Sequence, residues 1–342
     1  MKKRKIIYLL AVSGIIFLLF VVIIFRILFG INIHAEKEQT VYIPTGSSYE
    51  QVVDTLDKYL EIKNVHFFNW LAKKKSYPDL IKPGRYIIDK DLSYIALINR
   101  LRAGNQKPVR VTFNNIRTIN QLAGKFGRQL EVDSAAIMNF LLDESNYLSD
   151  GFKKEDIISL FIPDTYEFYW NTDASGIYSR MLKEYRAFWN NERLEKAKEK
   201  GLDPQEVAIL ASIIDDEVVK ADEKPRIAGV YLNRLKRGIA LQACPTIKFA
   251  LNDFTITRVL HKHLQTDSPY NTYRHRGFPP GPIGCPSVEG IEAVLNAESH
   301  DYLYFAAKAD FSGYHNFSRT LTEHNRYAAI YQRELNKRKI FK

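Results

Sequence analysis

The sequence predicts an α+β protein: a single N-terminal transmembrane helix, a small α+β module, then a larger α+β domain that carries the chemistry. Three observations predict it. Residues 6–25 hold no charge, and about 20 apolar residues match the roughly 30 Å hydrocarbon core of a bilayer. Beyond them, short strand-like runs alternate with runs of helical period. Finally, segment 207–218 is an apolar helical run that ends in three successive acids, Asp215, Asp216 and Glu217.

The N-terminus comes first. Met1-Lys2-Lys3-Arg4-Lys5 precedes the apolar run, and only Arg26 follows it closely. The positive-inside rule makes residues 1–5 a cytoplasmic stub and residues 6–26 the anchor, with everything later outside the cytoplasm. The expected location is the inner (cytoplasmic) membrane, single-pass, with the main domain extracytoplasmic. A cleaved signal peptide is the rival reading. The run is long for one, and no convincing small-x-small site precedes Glu36.

Residues 36–47 read as a strand ending in a Pro-Thr-Gly turn. Residues 48–60 have helical period, with Val52, Val53, Leu56 and Leu60 on one side. A short helix at 65–73, a Lys82-Pro83-Gly84 turn, a strand at 85–88 and a helix from 92 to 102, stopped at Gly104, complete a small module over 36–105. A connecting subdomain, 106–158, opens with a strand at 109–113 and a helix at 119–126, and reads as mostly helical from 132. The strand-turn-helix pieces starting at Val41 and Val109 form a weak internal repeat. The chemical domain is placed at 159–342.

That domain begins with an aromatic-rich Pro-Asp turn, Phe161-Ile162-Pro163-Asp164-Thr165-Tyr166. Residues 173–200 read as one long charged helix stopped by Gly201. Pro204 suits the first turn of the next helix, and a further helix runs over 225–237 to Gly238. Residues 241–286 are rich in loops. Strands are expected at 302–306 and 315–318, and a helix from Leu321.

The net charge of +10 includes the basic stub and the tail residues Arg333, Lys337, Arg338, Lys339 and Lys342. An exported basic protein suits anionic lipid or an anionic wall polymer, and solvated surface charge explains the excess as well. Nucleic acid is excluded as a partner for a chain held outside the cytoplasm. Cys244 and Cys285 are the two cysteines. In an oxidising compartment they pair or remain as buried thiols; neither has a metal-ligand partner at a recognised spacing. His261-Lys262-His263 lacks nearby acids or cysteines, so no metal is expected.

At about 100° per residue, Glu217 lines up with Leu210 and lies close to Ile213, whereas Asp215 points to the opposite side. A carboxyl against apolar neighbours has its pKa raised, which suits a general acid near neutral pH. Glycosidic cleavage usually pairs two carboxylates. Asp222, Glu223, Asp267 and Glu323 are available, but nothing in the sequence singles one out. Lytic cleavage needs only one: the acid protonates the leaving oxygen, the sugar's own 6-hydroxyl closes on the anomeric carbon, and the same carboxylate takes that proton. Tyr270, Asn271 and Tyr273 offer flat apolar faces with polar tips, suited to a sugar ring or to ordinary packing. Four prolines and three glycines over 277–286 make a stiff loop. Ser212 lacks the glycine-flanked elbow of a nucleophile and reads as a packing residue.

Taken together, these motifs resemble the endolytic murein transglycosylases (YceG-like proteins). The matching pieces are Leu210-Ala211-Ser212-Ile213-Ile214 with Glu217, Ala228-Gly229-Val230-Tyr231-Leu232-Asn233-Arg234-Leu235, Ser268-Pro269-Tyr270-Asn271-Thr272-Tyr273, Gly277-Phe278-Pro279-Pro280-Gly281-Pro282-Ile283, His315-Asn316-Phe317 and Glu323-His324-Asn325. The anchor and a LysM-like module at 36–105 fit as well. The resemblance implies a YceG-like catalytic domain, no cofactor, and endolytic cleavage between N-acetylmuramic acid and N-acetylglucosamine in nascent strands. The products carry 1,6-anhydro ends, and the cut terminates strand elongation. Glu217 occupies the position of the family's catalytic glutamate, and Asp215 replaces the first acid of its Ser-Ile-Ile-Glu-x-Glu pattern. Cys244 stands where the family commonly has an acid, and Cys285 where it has a small or polar residue; a disulfide between them would tie two loops. Gln242, Asn271, Tyr273 and Asn325 are expected to contact substrate or orient Glu217. Expected partners are peptidoglycan glycan strands, the membrane through residues 6–26, and cell-wall synthases. The rivals are a non-catalytic anchored glycan-binding scaffold and a hydrolytic muramidase.

Overall fold

The computed structural model describes residues 2–338 except Thr257, with side chains from Ile7 onward. Met1 of the basic stub, and Lys339 and Lys342 of the basic tail, lie outside the described residues. The chain forms two compact units: residues 1–110 with 129–132 and 167–172, and residues 111–128 with 133–166 and 173–342.

The first unit opens with α1 (Lys2–Phe29), whose stretch Ile7–Phe29 has a mean hydropathy of 3.1 and is long and apolar enough to cross a bilayer. Then come β1 (Ile33–His34), β2 (Gln39–Ile43), α2 (Tyr49–Tyr59), β3 (Glu61–Ile62), α3 (Val65–Lys74), β4 (Gly84–Ile88), β5 (Asp91–Leu92) and α4 (Tyr94–Ala103). β2 and β4 are antiparallel with Val41 opposite Tyr86, and β1 pairs with both β3 and β5. Alternation buries Val41 and Ile43 and turns Tyr42 outward. α2 starts where it does because Ser48 Oγ accepts from the Gln51 amide at 3.3 Å while Gln51 Oε1 accepts from the Ser48 amide at 2.8 Å, a reciprocal cap. Val52 and Leu56 of α2 meet Phe68, Leu97 and Leu101 in one core. Removing one such side chain, as in Leu56→Ala, costs about 2–5 kcal/mol. α4 ends on Gly104 at φ 74°, where a side chain would be strained.

β6 (Val109–Phe113) and β7 (Asp164–Phe168) form a two-stranded sheet. In the second unit α5 (Ile119–Gly127) and α6 (Ser134–Leu142) pack together, followed by α7 (Ala174–Phe188), α8 (Asn191–Glu199), α9 (Pro204–Glu217), α10 (Lys224–Lys236), α11 (Cys244–Ala250) and α12 (Val288–Leu295). The β8 (Tyr304–Ala307) and β9 (His315–Ser318) hairpin and α13 (Leu321–Lys337) complete it. α9 is the central helix. Its residues 207–214 are all buried, as a helix apolar on every side requires, and α8, α10, α11 and α12 all pack on it.

Several elements differ from the sequence reading. The long helix over 173–200 is two, because Trp189 and Asn190 leave helical geometry and the Asn190 side chain caps α8 by accepting from the Arg193 amide at 3.0 Å. Residues 144–160 form short 3-10 turns rather than a continuous helix. The Pro-Asp turn at 163–164 leads into strand β7. The region read as loops contains α11, with Pro245 in its first turn. α12 follows that region, capped by Ser287, which accepts from the Gly290 amide at 2.8 Å.

Candidate active site

α9 sets the site. Asp203 caps its start by accepting from the Glu206 amide at 2.8 Å, and Glu206 returns the bond to the Asp203 amide at 3.0 Å. At the other end the helix stops at Glu217, and Val218 is already extended. Three carboxylates thus occupy the last turn with no basic residue among them. They sit where the helix dipole disfavours negative charge.

The three acids meet different surroundings. Asp215 is saturated. It accepts from the Ser287 amide at 2.7 Å, the Ser287 hydroxyl at 2.8 Å and Lys224 Nζ at 2.9 Å. Its oxygens would lie 2.6 Å from a Cβ at position 290, so Gly290 is required for α12 to come this close. Asp216 forms an ion pair with Arg117, whose guanidinium also lies 4.7 Å over the Phe254 ring. Glu217 is half-buried, and its carboxyl makes no hydrogen bond or ion pair among the described residues. Burial pushes it up to about 7, against a weaker downward pull from Lys248 and with a further push from Asp216.

Tyr231 of α10, Cys244 of α11 and Tyr273 of the adjoining loop all feel the Glu217 charge, although burial is the larger cause of the upward shift in each. Cys244 Sγ lies 3.1 Å from Tyr273 Oη. The Tyr231 ring stands perpendicular to Phe305 at 5.8 Å. Two phenols, a thiol and one lysine are thus the groups electrostatically coupled to Glu217.

The neighbouring loops are fixed by hydrogen bonds. Gln242 is exposed, and its backbone is left-handed at φ 54°, a cost of about 1 kcal/mol for a residue with a side chain. Its amide donates to the Thr272 carbonyl at 3.0 Å, and its side chain accepts from Arg234. Arg234 also donates to the carbonyls of Ala240 and Leu303 at 2.9 and 3.0 Å. Thr272 accepts from the Ala243 amide at 3.0 Å and bonds Thr246 at 2.8 Å. Asn271 is fully buried. Its amide nitrogen donates to the carbonyls of Leu264 and Thr266 at 3.0 and 2.8 Å, and its oxygen accepts from the Tyr273 amide at 3.0 Å. It thus holds the loop that presents Tyr273. Asn325 is exposed on α13 and makes no hydrogen bond among the described residues. Its neighbour His324 stacks on Tyr304 at 5.4 Å, and Arg234 lies 5.3 Å over that same ring.

Ser212 is a packing residue, as expected. It donates to the Ile209 carbonyl at 2.8 Å and accepts from the Ile283 amide at 3.0 Å, tying the Pro-Gly loop to α9. The expected disulfide is not formed: both thiols are free. Cys285 is buried elsewhere, donating to the Phe161 carbonyl at 2.6 Å while its amide bonds the Ile116 carbonyl at 2.7 Å. Each sulfur has its own partner.

Two arrangements were missed by the sequence reading. One is the Asp215–Ser287–Lys224 cluster. The other is Glu223, buried at 4% exposure, which accepts from His315 Nδ1 at 2.8 Å and from the His315 amide at 3.1 Å. In the sequence Glu223 is one of four undifferentiated acids. The only available signal was its place one residue before the helix carrying Arg234.

The sequence model of the YceG-like family matches residues 41–330. An endolytic murein transglycosylase of Bacillus subtilis is 30% identical over 302 residues, covering 84% of this chain and 82% of that protein. An endolytic murein transglycosylase of Streptococcus pneumoniae (D39) is 29% identical over 314 residues. That match covers 82% of this chain but 56% of the pneumococcal protein, so the chain spans about half the length of that relative. The crystal structure of a YceG-like protein from Listeria monocytogenes superposes with a TM-score of 0.55 at 26% identity, over 85% of this chain and 99% of that one.

Proposed function

Because the chain belongs to the YceG-like family, we propose that it is a membrane-anchored lytic transglycosylase. It cuts within peptidoglycan strands between N-acetylmuramic acid and N-acetylglucosamine. The observation that carries this reading is Glu217. It is the one acid of the α9 terminus without a compensating partner, and it holds its proton up to about pH 7.

Protonated Glu217 donates to the glycosidic oxygen as the bond to the anomeric carbon breaks. The carboxylate so formed then takes the proton of the muramic 6-hydroxyl, whose oxygen closes on that carbon. One proton leaves and one returns, no water is consumed, and a 1,6-anhydro end remains. Burial favours the neutral acid at the start, and a saccharide seated over the carboxyl would limit water at the second step. In this reading Tyr273 and Gln242 would contact the saccharide. Asn271 would act indirectly by fixing the loop that carries Tyr273, and Asn325 would meet the substrate from α13.

Residues 6–26 anchor the enzyme with its N-terminus in the cytoplasm, and residues 159–342 form the catalytic domain. The strands and helices of 36–105 act as a LysM-like module that holds glycan or sets the height of the site above the bilayer. Cutting nascent strands in this position would terminate their elongation beside the cell-wall synthases.

The test is digestion of purified sacculi by the wild type and by Glu217→Gln, with mass spectrometry of the products. Anhydro ends from the wild type alone support the reading. Equal product from both proteins removes Glu217 from the chemistry and leaves a glycan-binding scaffold. Reducing ends carrying oxygen from labelled water would make the enzyme a hydrolytic muramidase.

A further inference from the structure

Beside the Arg117–Asp216 pair lies a cavity of about 320 Å³ that the reaction outlined above does not use. Its floor is apolar, made by Phe249 and Tyr270, whose rings lie 4.7 Å apart, together with Ile119, Ile158 and Pro282. Its rim is charged: Lys154 and Glu155 are both exposed, and neither side chain is engaged in a hydrogen bond or ion pair among the described residues. One wall is rigid. Gly281 runs so close to the Glu155 carbonyl that a Cβ there would lie 2.0 Å from it, and Pro282 follows.

The cavity shares one residue, Arg117, with the ion pair at the end of α9. Arg117 lines it and reaches Asp216, the residue before Glu217. Phe249 follows Lys248, which acts on Glu217, and Tyr270 belongs to the loop that presents Tyr273.

We propose that this cavity is a subsite for the peptide stem carried by muramic acid, with Lys154 receiving a stem carboxylate, Glu155 a stem amine, and the aromatic floor the alanyl methyl groups. The argument is one of chemical complementarity. The sugar rings of the glycan are neutral, and a site for them needs hydroxyl and amide partners around an aromatic face. In peptidoglycan the charges of both signs, and the small apolar side chains, belong to the stem. A rim of two uncommitted opposite charges over an apolar floor matches the stem better than it matches a ring. The inference rests on the transglycosylase reading for its substrate and deepens it, because it makes the enzyme select strands whose stems are intact.

The experiment uses the full-length protein in detergent with two substrates: uncross-linked glycan strands bearing stems, and the same strands stripped by an amidase. The wild type is expected to cut stemmed strands with a KM about tenfold lower than stripped ones. Lys154→Glu combined with Glu155→Lys is expected to cut stemmed strands no better than stripped ones. Binding of a soluble disaccharide-peptide to Glu217→Gln, followed by calorimetry, supplies a readout independent of turnover. It should be retained in that variant and weakened about tenfold when the charge reversal is added. Equal handling of stemmed and stripped strands by the wild type, as a neutral sugar site would give, overturns the proposal. So does a charge reversal without effect on peptide binding. Anhydro ends made by Glu217→Gln would instead sink the catalytic reading, and the binding comparison would still decide this one.

Discussion

The two sides of the α9 terminus treat a carboxylate in opposite ways. On the side of α12 and the start of α10, Asp215 accepts three hydrogen bonds, two from Ser287 and one from buried Lys224. On the side of α10 and α11, Glu217 meets a lysine at a distance, two phenols and a thiol, and no donor engages it. The residues are two apart on one helix, about 200° around it, so helical phase sends them to different surroundings. The Asp215 charge is compensated by direct bonds, whereas Glu217, the proposed acid, has only the pull of Lys248, and burial keeps its proton on.

Substitutions on the two sides should therefore fail differently. The largest effect belongs to Glu217→Gln, which should lower the rate on sacculi by about 10²–10⁴-fold while its circular dichroism and melting remain native-like. Asp215→Ala should do the reverse and act through the fold. It leaves the Lys224 ammonium with only Glu289 at 3.4 Å and strands the Ser287 amide, so we expect a loss of about 2–4 kcal/mol, read as a lower denaturation midpoint at unchanged slope. A native-like midpoint would dissolve the contrast.

A smaller effect links the Glu217 side to pH. Its folded pKa, about 7, lies above the reference value of 4.5. The neutral acid therefore contributes stability that is complete below about 4.5 and lost as pH rises through about 7. Glu217→Gln lacks that loss, so its stability relative to the wild type should improve by about 1–3 kcal/mol between pH 5 and pH 8, measured by urea denaturation at both values. The smallest effect is expected at Asp216, whose partner is on the surface: Arg117→Ala should cost less than about 1 kcal/mol in the same assay.

How much of this the sequence carries depends on range. The phase of one helix places Glu217 with Leu210 and sets Asp215 apart, and Pro204 marks where that helix begins, so the acid was legible from a dozen residues. The partner of Asp215 was not, since Ser287 is 72 residues away and its approach depends on Gly290 having no side chain. The same holds for Glu223 and His315, 92 residues apart. Asn271 reads as a polar tip beside two tyrosines, but burial and three bonds to nearby backbone turn it inward. The pairing of Cys244 with Cys285 requires their two loops to border one cleft. In the fold one thiol faces Tyr273 and the other the Phe161 carbonyl. The break between α7 and α8 escaped because charged periodicity continues through it, while a single asparagine cap ends one helix and starts the next.

The central claim is that Glu217 keeps its proton near neutral pH because burial outweighs the pull of Lys248 and no donor engages its carboxyl among the described residues. Difference infrared titration of the wild type against Glu217→Gln reads the protonated carboxyl of this one residue. The account predicts a midpoint at about 7, with the acid form dominant below it. A midpoint near the ordinary value of 4.5 would leave a carboxylate that has no proton to give at neutral pH, and would contradict it.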